Sequence, residues 1–380
     1  MTEILSPVSI LEYRSTSIHL GIYDEKTFNK NIFIDQKIDF TRNYGHEKDQ
    51  IILDIITQAE KEINQHLNEV ILILDSSSIS SLDFSIRKNF DKKLITNKDI
   101  NYLVNECENE VKVNNPEKEV LHVIKCEIFF DDEIIKDIDN ISKEASKIVI
   151  ELKFILISKN LCDQFKKLLL KKHIKLKNIF CASYIKSLGL IKKLDISGYS
   201  AFIDIGLKKS SLSIFNNNKL LYLNNTHIGG DHITQDISKI LKIDYRMAES
   251  KKIKFYKNNL LEDTIKEEGL LKKIINSRLE EIIELLFLNC PLVANNFFNT
   301  SLKLYFTGNG SKVLSENLLS FGPEFNFINE MSIIDEVNKD IFDSAYKFNA
   351  YLQQNDQQKI NISLENKGFF ERLFQYFNRK

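Results

Sequence analysis

Glycine turns at the ends of apolar, β-rich runs recur three times in the second half of this chain. Ala201-Phe202-Ile203-Asp204-Ile205-Gly206 reads as a buried strand ending in an acid and a flexible turn. Thr226-His227-Ile228-Gly229-Gly230-Asp231 follows, and Leu304-Tyr305-Phe306-Thr307-Gly308-Asn309-Gly310-Ser311 is a further strand running into a glycine-rich turn. Glycine carries no Cβ, so backbone N–H groups at such turns come close to phosphates and sugars. One turn of this kind is weak evidence; here three occur in order.

Composition bounds the classes to consider. The 380 residues are 43% hydrophobic and 28% charged, with a formal net charge of -1. That length suffices for two or more lobes, each with its own core. The charge balance argues against the strongly basic surface of a general nucleic-acid binder, so no nucleic-acid partner is expected. Cys107, Cys126, Cys162, Cys181 and Cys290 form no Cys-x-x-Cys pair and read as reduced, buried thiols of a cytoplasmic protein. The histidines show no metal-ligand spacing. The start shows no signal-peptide pattern, and no apolar run is long enough to span a bilayer.

Residues 8–14 and 18–23 are β-rich runs around the polar turn Ser15-Thr16-Ser17, and a third strand covers 30–34. Residues 50–67 carry a helix pattern with Ile51, Ile52, Ile55 and Ile56 on one face, and 70–75 is a buried strand. Three strands, a helix and another strand make an α/β half-lobe. Residues 81–158 differ in character. There Thr96 caps a helix with Asp99 at its third position, a variant of the capping box, and 121–124 and 148–157 are extended. The earlier pattern resumes with helix 161–171, strand 174–180 and segment 182–189, so 81–158 reads as a small α+β module inserted into the first lobe. A second lobe begins near Tyr199 with strands 199–205, 210–215 and 219–226. A helix opened by Asp231, a helical segment containing Ala248-Glu249-Ser250-Lys251-Lys252, and an amphipathic helix 274–287 follow. Residues 353–366 are rich in Gln and Asn and read as a flexible linker.

The ordered glycine turns resemble the nucleotide cleft of the actin, heat-shock chaperone and sugar-kinase superfamily. Within it the chain resembles, over essentially its whole length, the bacterial cell-division protein FtsA, the actin-like membrane tether of FtsZ. Residues 94–100 look like the entry to the helix of that family's special subdomain, 1C, and Leu121-His122-Val123-Ile124 with Asp131-Asp132 looks like the strand that follows. Ile228-Gly229-Gly230-Asp231-His232-Ile233-Thr234 is the closest local match. Ala248-Glu249 with Lys252 matches the family's Ala-Glu-x-x-Lys, which meets the adenosine, and Ile274-Ile275-Asn276-Ser277-Arg278-Leu279-Glu280-Glu281-Ile282 matches the helix before the last nucleotide strand.

The resemblance implies an actin-like two-lobed α/β fold with an inserted 1C-like α+β subdomain in the first lobe and a C-terminal amphipathic helix. Subdomain 1A would take 1–80 and 159–198, the insertion 81–158, and 2A its first part from 199–229. Subdomain 2B would be 230–300, the end of 2A and the return to 1A 301–352, the linker 353–367 and the terminal helix 368–380. It also implies ATP with Mg²⁺ in the interlobe cleft, held by Ser15, Thr16, Asp204, Gly206, Lys208, Gly229, Gly230, Glu249, Lys252, Gly308, Asn309 and Gly310, with Asp204 holding the metal through water.

Two loops depart from that family. Where it has Asp-x-Gly and then small hydroxyls, this chain has Glu12-Tyr13-Arg14-Ser15-Thr16-Ser17, so a side chain at Arg14 replaces the glycine and Glu12 stands for the usual acid. Where it has Gly-Gly-Thr-Thr, Gly206 is followed by Leu207-Lys208-Lys209-Ser210, cations that either offset phosphate charge or stand solvated on a hairpin. No residue is identified for orienting a water, so nucleotide binding with weak or absent hydrolysis is expected. An actin-like fold with a vestigial cleft is the other reading.

In Gly368-Phe369-Phe370-Glu371-Arg372-Leu373-Phe374-Gln375-Tyr376-Phe377-Asn378-Arg379-Lys380, helical spacing puts Phe369, Phe370, Leu373, Phe374, Tyr376 and Phe377 on one side and the polar residues on the other. After a polar linker this fits an in-plane membrane helix, with Phe369, Phe370, Arg372, Leu373, Phe374, Phe377, Arg379 and Lys380 meeting anionic inner-membrane lipid; a last helix docked on the core is the bland alternative. The family likeness implies a peripheral protein at the cytoplasmic face of the inner membrane, polymerising through head-to-tail contacts of the 1C-like insertion and recruiting downstream division proteins. It would bind the FtsZ C-terminal tail in the subdomain around Arg278, whose competing role is an ion pair with Glu280 or Glu281. A PilM-like pilus-assembly adaptor and a small-molecule kinase or phosphatase of the same superfold are the alternatives.

Overall fold

A computed structural model of the protein describes residues 7–24, 30–38, 45–135, 141–256, 265–288, 290–294, 302–314, 327–335 and 340–365. In the first lobe, β1 (Pro7–Tyr13) and β2 (Ser17–Asp24) pair antiparallel around a turn in which the Arg14 N–H donates to the Ser17 carbonyl at 3.0 Å. β3 (Lys30–Lys37) pairs antiparallel with β2, and α1 (Gly45–Ile63) leads to β4 (Glu69–Leu74), which lies parallel to β1. Val70 to Leu74 are all buried, as in a parallel strand covered on both faces, which is why the run is continuously apolar rather than alternating.

The insertion follows β4. β5 (Ser80–Thr96), α2 (Asn97–Asn114), β6 (Lys118–Phe130), β7 (Glu133–Ile134) and β8 (Ser142–Ser158) form an antiparallel sheet in the order β5-β8-β6-β7, with α2 packed on it. Its separate core joins Ile100, Leu103, Cys107 and Val111 of the helix to Ile128, Ile150 and Phe154 of the sheet. The Asp99 carboxylate accepts the Thr96 N–H at 3.0 Å and the Thr96 hydroxyl at 2.8 Å, the cap expected there. α3 (Lys159–Leu170) returns the chain to β9 (Lys175–Cys181), parallel to β4, and α4 (Ala182–Lys193) follows.

The second lobe repeats this plan. β10 (Tyr199–Ile205), β11 (Ser210–Asn216) and β12 (Lys219–Thr226) form an antiparallel meander. The helices α5 (Gly230–Leu241), α6 (Tyr245–Tyr256), α7 (Ile265–Phe287) and α8 (Pro291–Ala294) then lead to β13 (Leu302–Thr307), parallel to β10, and β14 (Ile328–Ile333), parallel to β13. The two sheets read β3-β2-β1-β4-β9 and β12-β11-β10-β13-β14, the same order of hairpin and crossover strands. Between them lies α4: Ser187 Oγ is 2.8 Å from Ser213 Oγ, and the Tyr184 ring stacks on Phe215.

α9 (Asp340–Glu365) comes back to the first lobe, where its Asp343 accepts the Tyr23 hydroxyl at 2.6 Å. The helix runs through Glu365, across most of the stretch expected to be a flexible linker. No Gly or Pro interrupts 340–365, and Gln is a good helix former, so nothing in the backbone stops a helix already anchored by Ile341, Phe342 and Ala345. Residues 366–380, with the candidate membrane-binding side chains, lie outside the described residues. Among the described residues no helix is long and apolar enough to cross a membrane.

Candidate functional site

The central parallel pairs of both sheets end at one cleft. Glu12 and Tyr13 at the end of β1, Asp75 after β4, Ala182 after β9, Gly206 after β10 and Gly308 after β13 all line a cavity of about 630 Å³. Ligands of open α/β sheets sit outside the carboxyl ends of the strands, and small-molecule sites span roughly 300–1,000 Å³.

The second-lobe wall is built backbone on backbone. The Gly206 N–H closes its own turn on the Lys209 carbonyl at 2.9 Å, while the N–H groups of Gly230 and Asp231 donate to the carbonyls of Gly206 and Leu207 at 2.9 and 2.8 Å. A Cβ on Gly229 would lie 2.6 Å from the Gly206 oxygen and 2.7 Å from the Lys209 nitrogen. The start of α5 is thus seated on the 206–209 turn. Gly308 has φ +87°, and a Cβ there would come within 2.2 Å of Asp204 Oδ1. On the far side, Lys252 Nζ donates to the Gly230 carbonyl at 2.9 Å and to Thr234 Oγ1 at 2.6 Å, and lies 2.7 Å from Glu249 Oε2, which also accepts the Thr234 hydroxyl.

The acids of the cleft are paired with protein cations. Buried Glu12 accepts from Arg14 Nε at 2.6 Å and contacts His19 Nδ1 at 2.8 Å; His19 Nε2 in turn meets Asp35 Oδ1 at 3.1 Å. Burial pulls the Glu12 pKa up, but Arg14 and His19 outweigh it and hold it below the usual range. Asp204 Oδ2 accepts from Lys186 Nζ of α4 at 2.6 Å, and Asp75 is ion-paired with Lys209. Asp204 also stays below its ordinary pKa, because burial is overcome by Lys186 first and then by Arg14 and Lys209.

A divalent cation does not fit this donor set. Mg²⁺ keeps several waters and is anchored by carboxylates that accept from them or bind it, whereas these carboxylates already accept from ammonium and guanidinium groups that repel a dication. Among the described residues no group of three or more His, Cys, Asp or Glu is arranged to hold a metal.

Ser15, Thr16, Asp204, Gly206, Gly230, Glu249, Lys252, Gly308, Asn309 and Gly310 line the cavity together. Gly229 sits behind its wall, packed on the 206–209 turn. Lys208 is exposed and lines an adjoining cavity of about 470 Å³ with Asp231 and His232. Arg278 pairs with Asp236, at 2.6 Å, and with Glu281. The sequence reading missed Lys186 and Asp75; a lysine on the buried face of an apolar helix, between Ile185 and Ser187, was the available signal.

Two sheets of matching order around a strand-end cleft define a protein of the actin-like fold. Among solved structures it is similar to a PilM–PilN type IV pilus biogenesis complex, at TM-score 0.58 and 12% identity over 86% of this chain and 88% of that one. It is also similar to MreB5 of Spiroplasma citri bound to ADP, at TM-score 0.50 and 11% identity over 93% and 99%. The family model of the cell division protein FtsA matches residues 201–284. The FtsA of Helicobacter pylori (strain ATCC 700392 / 26695) is 22% identical over 162 residues, 43% of this chain and 32% of the relative, so the match spans about a third of that relative's length. The chain thus has the actin-like fold and is similar to FtsA over part of its length, chiefly in the second lobe.

Proposed function

We propose that this chain is a cell-division protein that binds nucleotide between its lobes, self-assembles, and ties FtsZ filaments to the inner face of the cytoplasmic membrane, where it recruits further division proteins. The observation that carries this reading is where the FtsA match falls. Residues 201–284 comprise the cleft wall of the second lobe and helices α5, α6 and most of α7, the region in which the family resemblance puts the FtsZ-tail site. The strand-end cavity and the ADP held by MreB5 on the same fold support nucleotide binding. Phosphoryl chemistry needs an oriented water, and the sequence identifies no residue for that task, so weak or absent turnover is the expectation.

The pattern of 368–380 supports attachment through an amphipathic helix. A single short helix inserts only partly and binds reversibly, while a filament presenting many copies binds far more firmly because later contacts are effectively intramolecular. Arg278, already between Asp236 and Glu281, would exchange one of these carboxylates for an acidic tail. Co-sedimentation with anionic liposomes and binding of an FtsZ C-terminal tail peptide test the reading. The full chain is expected to pellet with liposomes, a chain ending at Asn366 is expected to stay in the supernatant, and both are expected to bind the peptide. Equal pelleting of the two chains sinks the anchor. A PilM-like adaptor is the second reading, favoured by the structural likeness to the PilM–PilN complex; it predicts capture of a membrane partner's peptide with no response to the FtsZ tail.

A further inference from the structure

The two lobes hold one another's acids. Lys186, on α4 of the first lobe, donates to Asp204 at the end of β10 in the second. Lys209, in the turn after β10, pairs in the opposite direction with Asp75 at the end of β4. All four side chains are largely buried, with 10% and 19% exposure in the first pair and 16% and 18% in the second. Glu12, the remaining acid at the end of β1, spends both oxygens on Arg14 and His19. In a site that takes a hydrated dication, carboxylate oxygens must be left to accept from its waters and the fixed charge must be net negative. Here each of these acids already gives an oxygen to a protein cation, the cations lining the cleft outnumber its acids, and positive charge already stands between the lobes. An ammonium on a four-carbon stem is also a mobile point charge with three donors, able to serve a carboxylate and a neighbouring phosphate oxygen together.

Resting on the nucleotide reading of this cleft, we propose that it binds its nucleotide as the metal-free anion, with Lys186 and Lys209 taking the place of Mg²⁺ in joining the lobes across the phosphates. The carboxylates then serve to hold the two ammonium groups in the cleft. Removing Lys186 frees Asp204 and restores a place for the dication.

The test is calorimetric titration of the full chain with ATP and with ADP, once in EDTA and once in excess MgCl₂. The wild-type affinities are expected to agree within about threefold between the two buffers, a difference under 1 kcal/mol. Lys186→Met is expected to weaken ATP in EDTA by about tenfold or more, with Mg²⁺ recovering much of the loss. Wild-type affinity at least about tenfold tighter in Mg²⁺ overturns the proposal. Should Lys186→Met fail to fold, Asp204→Asn decides: affinity weakened by the same factor in both buffers, as Lys186 loses the carboxylate that holds it, supports the proposal, and affinity kept in EDTA, with or without a loss in the Mg²⁺ buffer, overturns it. No binding of either nucleotide in either buffer overturns the nucleotide reading itself, and this inference with it.

Discussion

The imidazole of His122 in β6 accepts a hydrogen bond at 3.0 Å from the backbone N–H of Cys181, the last residue of β9. This bond joins the inserted subdomain to the central sheet of the first lobe, in a buried cluster with Phe180, Tyr184 and Phe348. Burial holds the imidazole pKa down to about 3, from an ordinary value near 6.5. The folded chain therefore keeps His122 neutral through a range in which the unfolded chain takes up a proton. Its contribution is complete above pH 6.5 and is lost progressively as pH falls towards 3, at up to about 1.4 kcal/mol per pH unit. Urea unfolding of wild type and His122→Gln, whose amide oxygen still accepts from Cys181, is expected to give a stability difference that shrinks by that slope below pH 6. A difference that stays flat from pH 7 to 5 contradicts the assignment.

Gly189 of α4 packs closely against Ser344 of α9. A Cβ there would lie 2.1 Å from Ser344 Oγ and 3.1 Å from its Cβ. Gly189→Ala is expected to cost about 1–3 kcal/mol by overpacking, although alanine is the better helix former. Ser344→Ala in the same chain removes the nearer clash and is expected to restore about 1 kcal/mol, a coupling that a double-mutant cycle in thermal or chemical unfolding measures. Strictly additive losses would show that the two helices do not meet through this pair.

Tyr23 fastens the other side of α9. Its hydroxyl donates to Asp343 Oδ1 at 2.6 Å and its ring stacks on Tyr346 with centroids 4.7 Å apart. Burial first, and then the Asp343 carboxylate, push the phenol pKa up, so the donor stays protonated at any working pH. Tyr23→Phe keeps the stack and loses the bond. A loss of about 1–2 kcal/mol is expected, typical of a hydrogen bond to a charged acceptor. Hydrogen exchange should show it as faster opening of α9 relative to the first-lobe sheet.

Much of this architecture was readable from residues alone. The apolar runs became strands, the 81–158 stretch became a separate sheet with its own helix and core, and Thr96 with Asp99 closed the cap their spacing promised. These features depend on local periodicity and on side chains reaching three residues along the chain. The electrostatics of the cleft depend on something else. Lys186 and Asp204 belong to different lobes, and only the return of the second sheet across α4 brings them together. Arg14 reads as the intrusion of a side chain into a phosphate loop, and the fold turns it onto Glu12 instead. The Gln-rich run read as a linker because polar composition resembles disorder; helix propensity and the packed start of α9 carry the backbone on to Glu365.

Two glycines of the cleft separate by mechanism, which gives a last prediction. Gly229 has extended backbone, so an alanine there suffers no conformational penalty; its Cβ instead meets the Gly206 and Leu207 carbonyls and the Lys209 nitrogen at 2.6–2.7 Å. Gly308 combines φ +87° with a Cβ position 2.2 Å from Asp204 Oδ1 and 2.5 Å from the Ile205 carbonyl. Gly229→Ala must push α5 away from the 206–209 turn, breaking the bonds from Gly230 and Asp231 to that turn. Gly308→Ala must distort β13 and displace the acid that holds Lys186. Each substitution is expected to cost about 1–3 kcal/mol and to weaken nucleotide binding. They should differ in salt dependence. Weakening by Gly308→Ala should vary with ionic strength, because it disturbs an ion pair, whereas that by Gly229→Ala should not, because it disturbs backbone contacts. Titration of both variants at low and high salt checks this; equal salt responses would mean that Asp204 and Lys186 do not act on the ligand as a pair.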